Sequence, residues 1–122
     1  MAPRLPRFLI ITPPKTAHSK NNGQAATKQN AGKPRWDLLP FDALGKVAQV
    51  VTFGAVKYKP RDWERGRPWG DYLSAAQRHQ AAFMNGEDDD EESHLPHLAH
   101  AITCLLFVLA YQLRGVGDDD RA

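Results

Sequence analysis

The densest set of groups able to do acid–base or metal chemistry lies between residues 87 and 100. The acidic run Glu87-Asp88-Asp89-Asp90-Glu91-Glu92 is followed by His97 and His100. Hard divalent cations take several oxygen ligands, and phosphoryl chemistry uses such cations. The plainer reading of the same run is a solvated charge cluster that complements a helix dipole. His97 and His100 are spaced i, i+3, so they share one face of a helix that Ala101, Cys104, Val108 and Tyr111 continue. Two histidines in register beside carboxylates mark a polar cavity. With Cys104 they would instead form a zinc-type donor set, at the expense of any role for the acids.

Two further groups bear on phosphates. Arg78 can clamp a phosphate bidentately or pair with Glu87. His79 sits among small residues on the expected core face, as a ligand group or as a histidine bonded to a neighbouring helix. The stretch from Lys57 to Arg67 interleaves cations with Tyr58 and Trp63. That pattern suits phosphates, base stacking or single-stranded nucleic acid. It equally suits a solvated basic loop with Trp63 as its core anchor.

Helices must position these groups. The apolar spacing of Leu44, Val47, Ala48, Val51 and Ala55 predicts a helix from Asp42 to Lys57 with Asp42 as N-cap. Gly45 and Gly54 weaken it and are read as points of close packing. Asp71 is the expected cap of a second helix, Tyr72 to Asn85, stopped by Gly86. Ser93 is the expected cap of a third, His94 to Leu113, with Pro96 in its first turn and Gly115 as its stop. The third helix is apolar nearly all round, so burial by a partner chain is expected. Lys33-Pro34-Arg35-Trp36-Asp37-Leu38-Leu39-Pro40 reads as an extended clamp. Residues 1–31 read as a flexible tail, 32–114 as the folded domain and 115–122 as a solvated acidic tail.

The chain has 122 residues, 16 Lys+Arg against 14 Asp+Glu, and one cysteine. One domain is expected. The near-neutral balance argues against a non-specific DNA coat, and a lone cysteine excludes an intrachain disulfide. The apolar run from Leu98 to Leu113 falls short of the ~20 residues of a membrane span. No export signal is read at the start, so a soluble, cytoplasmic protein without a membrane partner is expected.

Several separated stretches resemble one family. They are Gly32-Lys33-Pro34-Arg35 with Asp37-Leu38 and Pro40, and Thr52-Phe53-Gly54-Ala55 with Lys57-Tyr58 and Trp63. After these come Arg78-His79, Ala82-Phe83, Gly86-Glu87-Asp88, Glu92-Ser93 and Leu95-Pro96-His97-Leu98-Ala99-His100-Ala101. Together they resemble phage dATP/dGTP diphosphohydrolase-like proteins, which are similar to the MazG-like all-α nucleotide pyrophosphohydrolases. The resemblance implies an all-α, MazG-like helical bundle completed by homo-oligomerisation into a dimer or tetramer. It implies a purine deoxynucleoside triphosphate as substrate, with dGTP favoured. It also implies two or more Mg²⁺ or Mn²⁺ ions and cleavage between the α and β phosphates. On that basis Glu87, Asp90 and Glu92 are the leading metal-site candidates, with Asp88 and Glu91 behind them. His97 and His100 would ligate or orient phosphate oxygens, and Lys33, Arg78 and His79 would neutralise the triphosphate. Asp37, Gln77 or Gln80 would contact the base, and Trp36 or Trp63 would stack on it. The chain departs from the wider superfamily pattern at His97-x-x-His100, where a later Glu-x-x-Asp is usual, and at His94, where the family resemblance implies glycine. A nucleic-acid-binding accessory protein and a zinc-stabilised interaction module are the alternative readings.

Overall fold

A computed structural model describes residues 31–122. The flexible tail read for residues 1–31 lies outside them, apart from its last residue. The chain divides into a leading unit up to Asp37 and a second unit, Leu38–Ala122. In the leading unit the Arg35 guanidinium donates two hydrogen bonds to the Asp37 carboxylate, at 2.8 and 2.7 Å. A single 3-10 turn spans Trp36–Leu38.

The second unit is all-α, with no strand among the described residues: α1 is Phe41–Lys57, α2 Trp69–Met84 and α3 His97–Arg114, and a 3-10 turn covers Asp62–Arg65. Each helix starts on a proline rather than on the expected side-chain cap. Pro40, Pro68 and Pro96 hold the three N-cap positions, and none has a side-chain cap bond. Asp42 lies inside the first turn of α1, where its carboxylate accepts the Ala43 N–H at 2.8 Å. Asp71 is likewise inside α2, which begins before Tyr72.

The open N–H groups of α2 are met from a distance. Trp69 N–H donates to the Asp118 carbonyl at 2.9 Å, and Gly70 N–H to the Asp120 carboxylate at 2.8 Å. The Trp69 indole N–H bonds the Val116 carbonyl at 2.9 Å. The segment read as a solvated acidic tail is largely exposed, and it is also hooked onto the start of α2. The Asp120 carboxylate sits where a helix N-terminus favours negative charge.

Helix ends follow the sequence. Gly86, with φ +96°, closes α2 in a Schellman motif: its N–H bonds Phe83 O at 3.0 Å and the Glu87 N–H bonds Ala82 O at 3.0 Å. Gly115 ends α3 in the left-handed region. The close packing expected at Gly45 and Gly54 is absent: a Cβ at either would meet nothing within 4 Å among the described residues.

Packing runs α2 on α3 and α1 on α3. The core holds Val47 and Val50 of α1, Trp69 and Ala76 of α2, and Ala99, Ala101, Thr103 and Tyr111 of α3. α3 has 18 residues and is long and apolar enough, by length and composition alone, to cross a membrane, a property that core helices share. One stripe of it is core, while Leu98, Ile102, Leu105, Leu106, Leu109 and Leu113 remain exposed.

Candidate functional site

Helix spacing builds the site. Tyr72 and His79 are two turns apart on α2, and His100 and Phe107 are two turns apart on α3. The two helices pack antiparallel, so Tyr72 meets Phe107 edge-on with centroids 5.4 Å apart. His79 meets His100 face to face at 4.6 Å and 13°. His97, one turn before His100, then reaches His79 with the two Nδ1 atoms 2.9 Å apart.

The loop between α2 and α3 folds around Asp90. Asp90 N–H donates to Leu95 O at 2.9 Å, and His94 N–H to Asp90 O at 2.8 Å. His94 takes φ +59°, the left-handed geometry that suits the glycine implied at this position. The Asp90 carboxylate accepts from the Ser93 N–H at 2.9 Å and from its hydroxyl at 3.0 Å. The Ser93 hydroxyl also lies 2.6 Å from His100 Nε2. Ser93 therefore links Asp90 to His100 instead of capping α3, a role that its cap-like position concealed.

The acidic run is not a uniform cluster. Asp90 is half-buried, 3.8 Å from His100 Nε2. Glu87 is exposed, and its Oε2 stands 3.5 Å from His97 Nε2. Glu92 forms an ion pair with Lys57 of α1. Asp88 and Glu91 are exposed; Asp88 contributes its carbonyl, which accepts the His97 N–H at 2.9 Å.

Electrostatics fix the protonation states. Burial pushes the His79 imidazole below its ordinary pKa, helped by His100 and His97 and opposed by Asp90. Burial does the same to His100. For Asp90 burial acts upward, but the Ser93 hydrogen bonds and the nearby histidines prevail and hold the carboxyl below its usual range. Asp90 is thus a carboxylate beside the neutral imidazoles of His79 and His100 near neutral pH.

These donors fit a divalent cation. One ligand atom each from His79, Asp90 and His97 lies within 4.8 Å of the others. His97 Nε2 is buried without a hydrogen-bond partner among the described residues. The Glu87 contact is an ion-pair approach that misses hydrogen-bond geometry. Cys104 is not in this group, so the zinc set of His97, His100 and Cys104 is not assembled.

A cleft of about 700 Å³ opens beside the cluster, in the range of ligand pockets. Its lining includes His79, Asp90, Glu92 and His100 together with Lys57, Arg61, Arg67 and Arg78. Arg78 does not pair with Glu87. It donates to the Ser74 hydroxyl at 3.0 Å and makes no ion pair among the described residues. Trp63 borders the cleft but is stacked on Phe107, with centroids 4.3 Å apart at 7°, and Arg114 sits over its ring at 5.2 Å. It acts as a wall anchor. Gln77 and Gln80 are exposed on α2 and do not line the cleft. Lys33, Trp36 and Asp37 belong to the leading unit.

The family described as dATP/dGTP diphosphohydrolase, N-terminal, matches residues 23–121. A dATP/dGTP diphosphohydrolase of Salmonella phage PMBT28 is 31% identical over 94 residues, covering 77% of this chain and 32% of the relative. The chain therefore spans about a third of that curated relative's length. No solved structure matches.

Proposed function

Since the chain belongs to the dATP/dGTP diphosphohydrolase family through that family's N-terminal part, we propose that it hydrolyses a purine deoxynucleoside triphosphate to the monophosphate and pyrophosphate. The observation that carries this reading is the cleft whose lining combines arginines with histidines and carboxylates. A triphosphate needs cations along its length and a polar, metal-competent group at the bond to be cut.

Two or more Mg²⁺ or Mn²⁺ ions would polarise the α phosphate and lower the pKa of an attacking water. Asp90 would hold them from within the donor group, and Glu87 and Glu92, which lie outside that group, would have to turn in to add oxygen ligands. The chain's own groups do the rest. Arg78, free of any carboxylate among the described residues, offers a planar donor fork to phosphate oxygens. Lys57 must exchange Glu92 for a phosphate oxygen to contribute. Ser93 fixes the orientation of the His100 ring and of the Asp90 carboxylate. Tyr72 and Phe107 give the cleft an apolar wall that excludes water from one side.

Guanine is the proposed base. A site that pairs the 2-amino group leaves its acceptor unpaired with adenine, costing about 1–3 kcal/mol and giving roughly ten- to hundredfold discrimination. Phosphorus NMR of products from dGTP and dATP with Mg²⁺ or Mn²⁺ tests the reaction. Monophosphate and pyrophosphate are expected. Orthophosphate and diphosphate as sole products, or full turnover in excess EDTA, would overturn it. Equal kcat/KM for the two nucleotides would remove the base preference alone.

The exposed leucines of α3 support assembly into a dimer or tetramer. Light scattering should give a mass above the 13.6 kDa of one chain.

A further inference from the structure

We infer that His79, Asp90 and His97 form a binding site for a borderline transition ion, of the Mn²⁺, Co²⁺ or Ni²⁺ class, that discriminates against Mg²⁺. The inference rests on the proposed function only for the location of the site, and it concerns binding rather than turnover.

The first observation is the facing pair of nitrogens. His79 Nδ1 and His97 Nδ1 stand 2.9 Å apart. Two imidazole nitrogens bound at about 2.1 Å to one ion stand about 3.0 Å apart at a right angle, and about 3.4 Å apart at the tetrahedral angle. The separation fits adjacent positions of a six-coordinate ion. Asp90 supplies a carboxylate oxygen in the same group, all within 4.8 Å. Two imidazoles and one carboxylate leave open positions for water or for phosphate oxygens.

The second observation is independent of that spacing. The His97 side chain is only 9% exposed, and its Nε2 is buried with no hydrogen-bond partner among the described residues. An unpaired buried nitrogen is costly in a ring that serves only as packing. With Nδ1 on a metal, however, Nε2 carries the N–H, and the exposed Glu87 carboxylate, 3.5 Å away and outside hydrogen-bond geometry, can turn to accept it. A ligating histidine usually gives its other N–H to a carboxylate in this way. Asp90 is held similarly, by the Ser93 N–H and hydroxyl.

Nitrogen donors set the preference. Mg²⁺ demands oxygen ligands and keeps its waters, whereas imidazole affinity rises along the first transition row.

The test uses the full chain, stripped of metal with a chelator and titrated with Co²⁺ while visible absorption is followed. Saturable binding that excess Mg²⁺ does not displace is expected. His79→Gln should weaken Co²⁺ binding by about 100-fold, while Asp89→Asn, an exposed acid of the same loop, should leave it unchanged. Wild-type affinity in His79→Gln, or displacement by equimolar Mg²⁺, would overturn the inference. If His79→Gln does not fold, paramagnetic broadening in the wild-type protein decides. Broadening of the His79 and His97 ring signals supports the site; broadening confined to other residues refutes it. A protein that turns over dGTP with Mg²⁺ but takes no Co²⁺ loses this inference alone. One that binds Co²⁺ through these histidines but hydrolyses nothing loses the proposed function alone.

Discussion

His79 Nδ1 lies 2.9 Å from His97 Nδ1 across the α2–α3 interface, close enough for one ring to donate a hydrogen bond to the other, in a direction set by the tautomers. Such a contact is sensitive to both partners and to His100, whose ring stacks on His79. His97→Ala and His100→Ala are each expected to lower turnover by about tenfold or more. Steady-state kinetics set beside melting curves check this. Lower melting temperatures with unchanged turnover per folded molecule would make both residues core histidines.

Glu87 follows the Schellman turn of α2 with its side chain 67% exposed. Glu87→Gln keeps the backbone bonds and the volume. Stability should change by no more than about 0.5 kcal/mol. Turnover should fall by about 100-fold if the carboxylate serves the cation and His97 together. Urea melts and initial rates on one preparation separate the two effects.

Tyr111 is fully buried, and its hydroxyl donates to the Trp63 carbonyl. Burial pushes its phenol far above the ordinary value, so it remains a donor at any working pH. Tyr111→Phe removes one of two donors to that carbonyl, which keeps the Gly66 N–H at 3.1 Å, and should cost about 0.5–1.5 kcal/mol. In a domain of this size each kcal/mol lowers Tm by about 4–8 °C. An unchanged Tm in calorimetry would show the bond to be dispensable.

Two glycine substitutions should move in opposite directions. Gly117 has φ +80°, and a Cβ there would sit 2.6 Å from the Arg67 carbonyl. Gly117→Ala should destabilise by about 1–3 kcal/mol, by strain and by unhooking the segment that caps α2. Gly45 lies within α1 with nothing within 4 Å of its Cβ position among the described residues, so Gly45→Ala should stabilise by about 0.5–1 kcal/mol. A loss at Gly45 would place a partner chain against α1.

Cys104 lines the cleft, and burial raises its thiol pKa, with Arg78 opposing. The thiolate attacks, so a raised pKa leaves less of it near neutral pH, and reactivity should rise with pH only at alkaline values. Alkylation of the folded protein should run at least about tenfold slower than in urea at neutral pH. Equal rates would mean that the thiol is not sheltered.

The sequence carried the helices and their stops well because Gly86 and Gly115 act locally, through a left-handed turn that favours glycine. It misplaced the starts. Ser93 and Asp71 have cap-type side chains, but the prolines before each helix set the boundary, and distant groups took over the capping. The acidic run was legible as charge, not as geometry. Only folding of the loop on Asp90 separates the acids near histidines from Asp88 and Glu91. His79 was visible as a polar residue on an apolar face. Its meeting with His97 depends on antiparallel packing of α2 on α3, which no short-range pattern encodes. The matched two-turn spacings of Tyr72–His79 and His100–Phe107 were the one available signal.

Anchoring of the Asp62–Arg65 turn bears on the thermodynamics of ligand capture. Trp63 stacks on Phe107, its carbonyl takes the Tyr111 hydroxyl, and Gly66, a little further on, lies against Val116. The segment carrying the basic side chains is therefore a preorganised shelf rather than a flap. A polyanion settling on it would freeze side-chain rotamers, at about 0.5–1.5 kcal/mol each, without also having to order a backbone loop. Affinity on such a shelf is set by how many arginines are immobilised, not by how far the chain must travel to meet them.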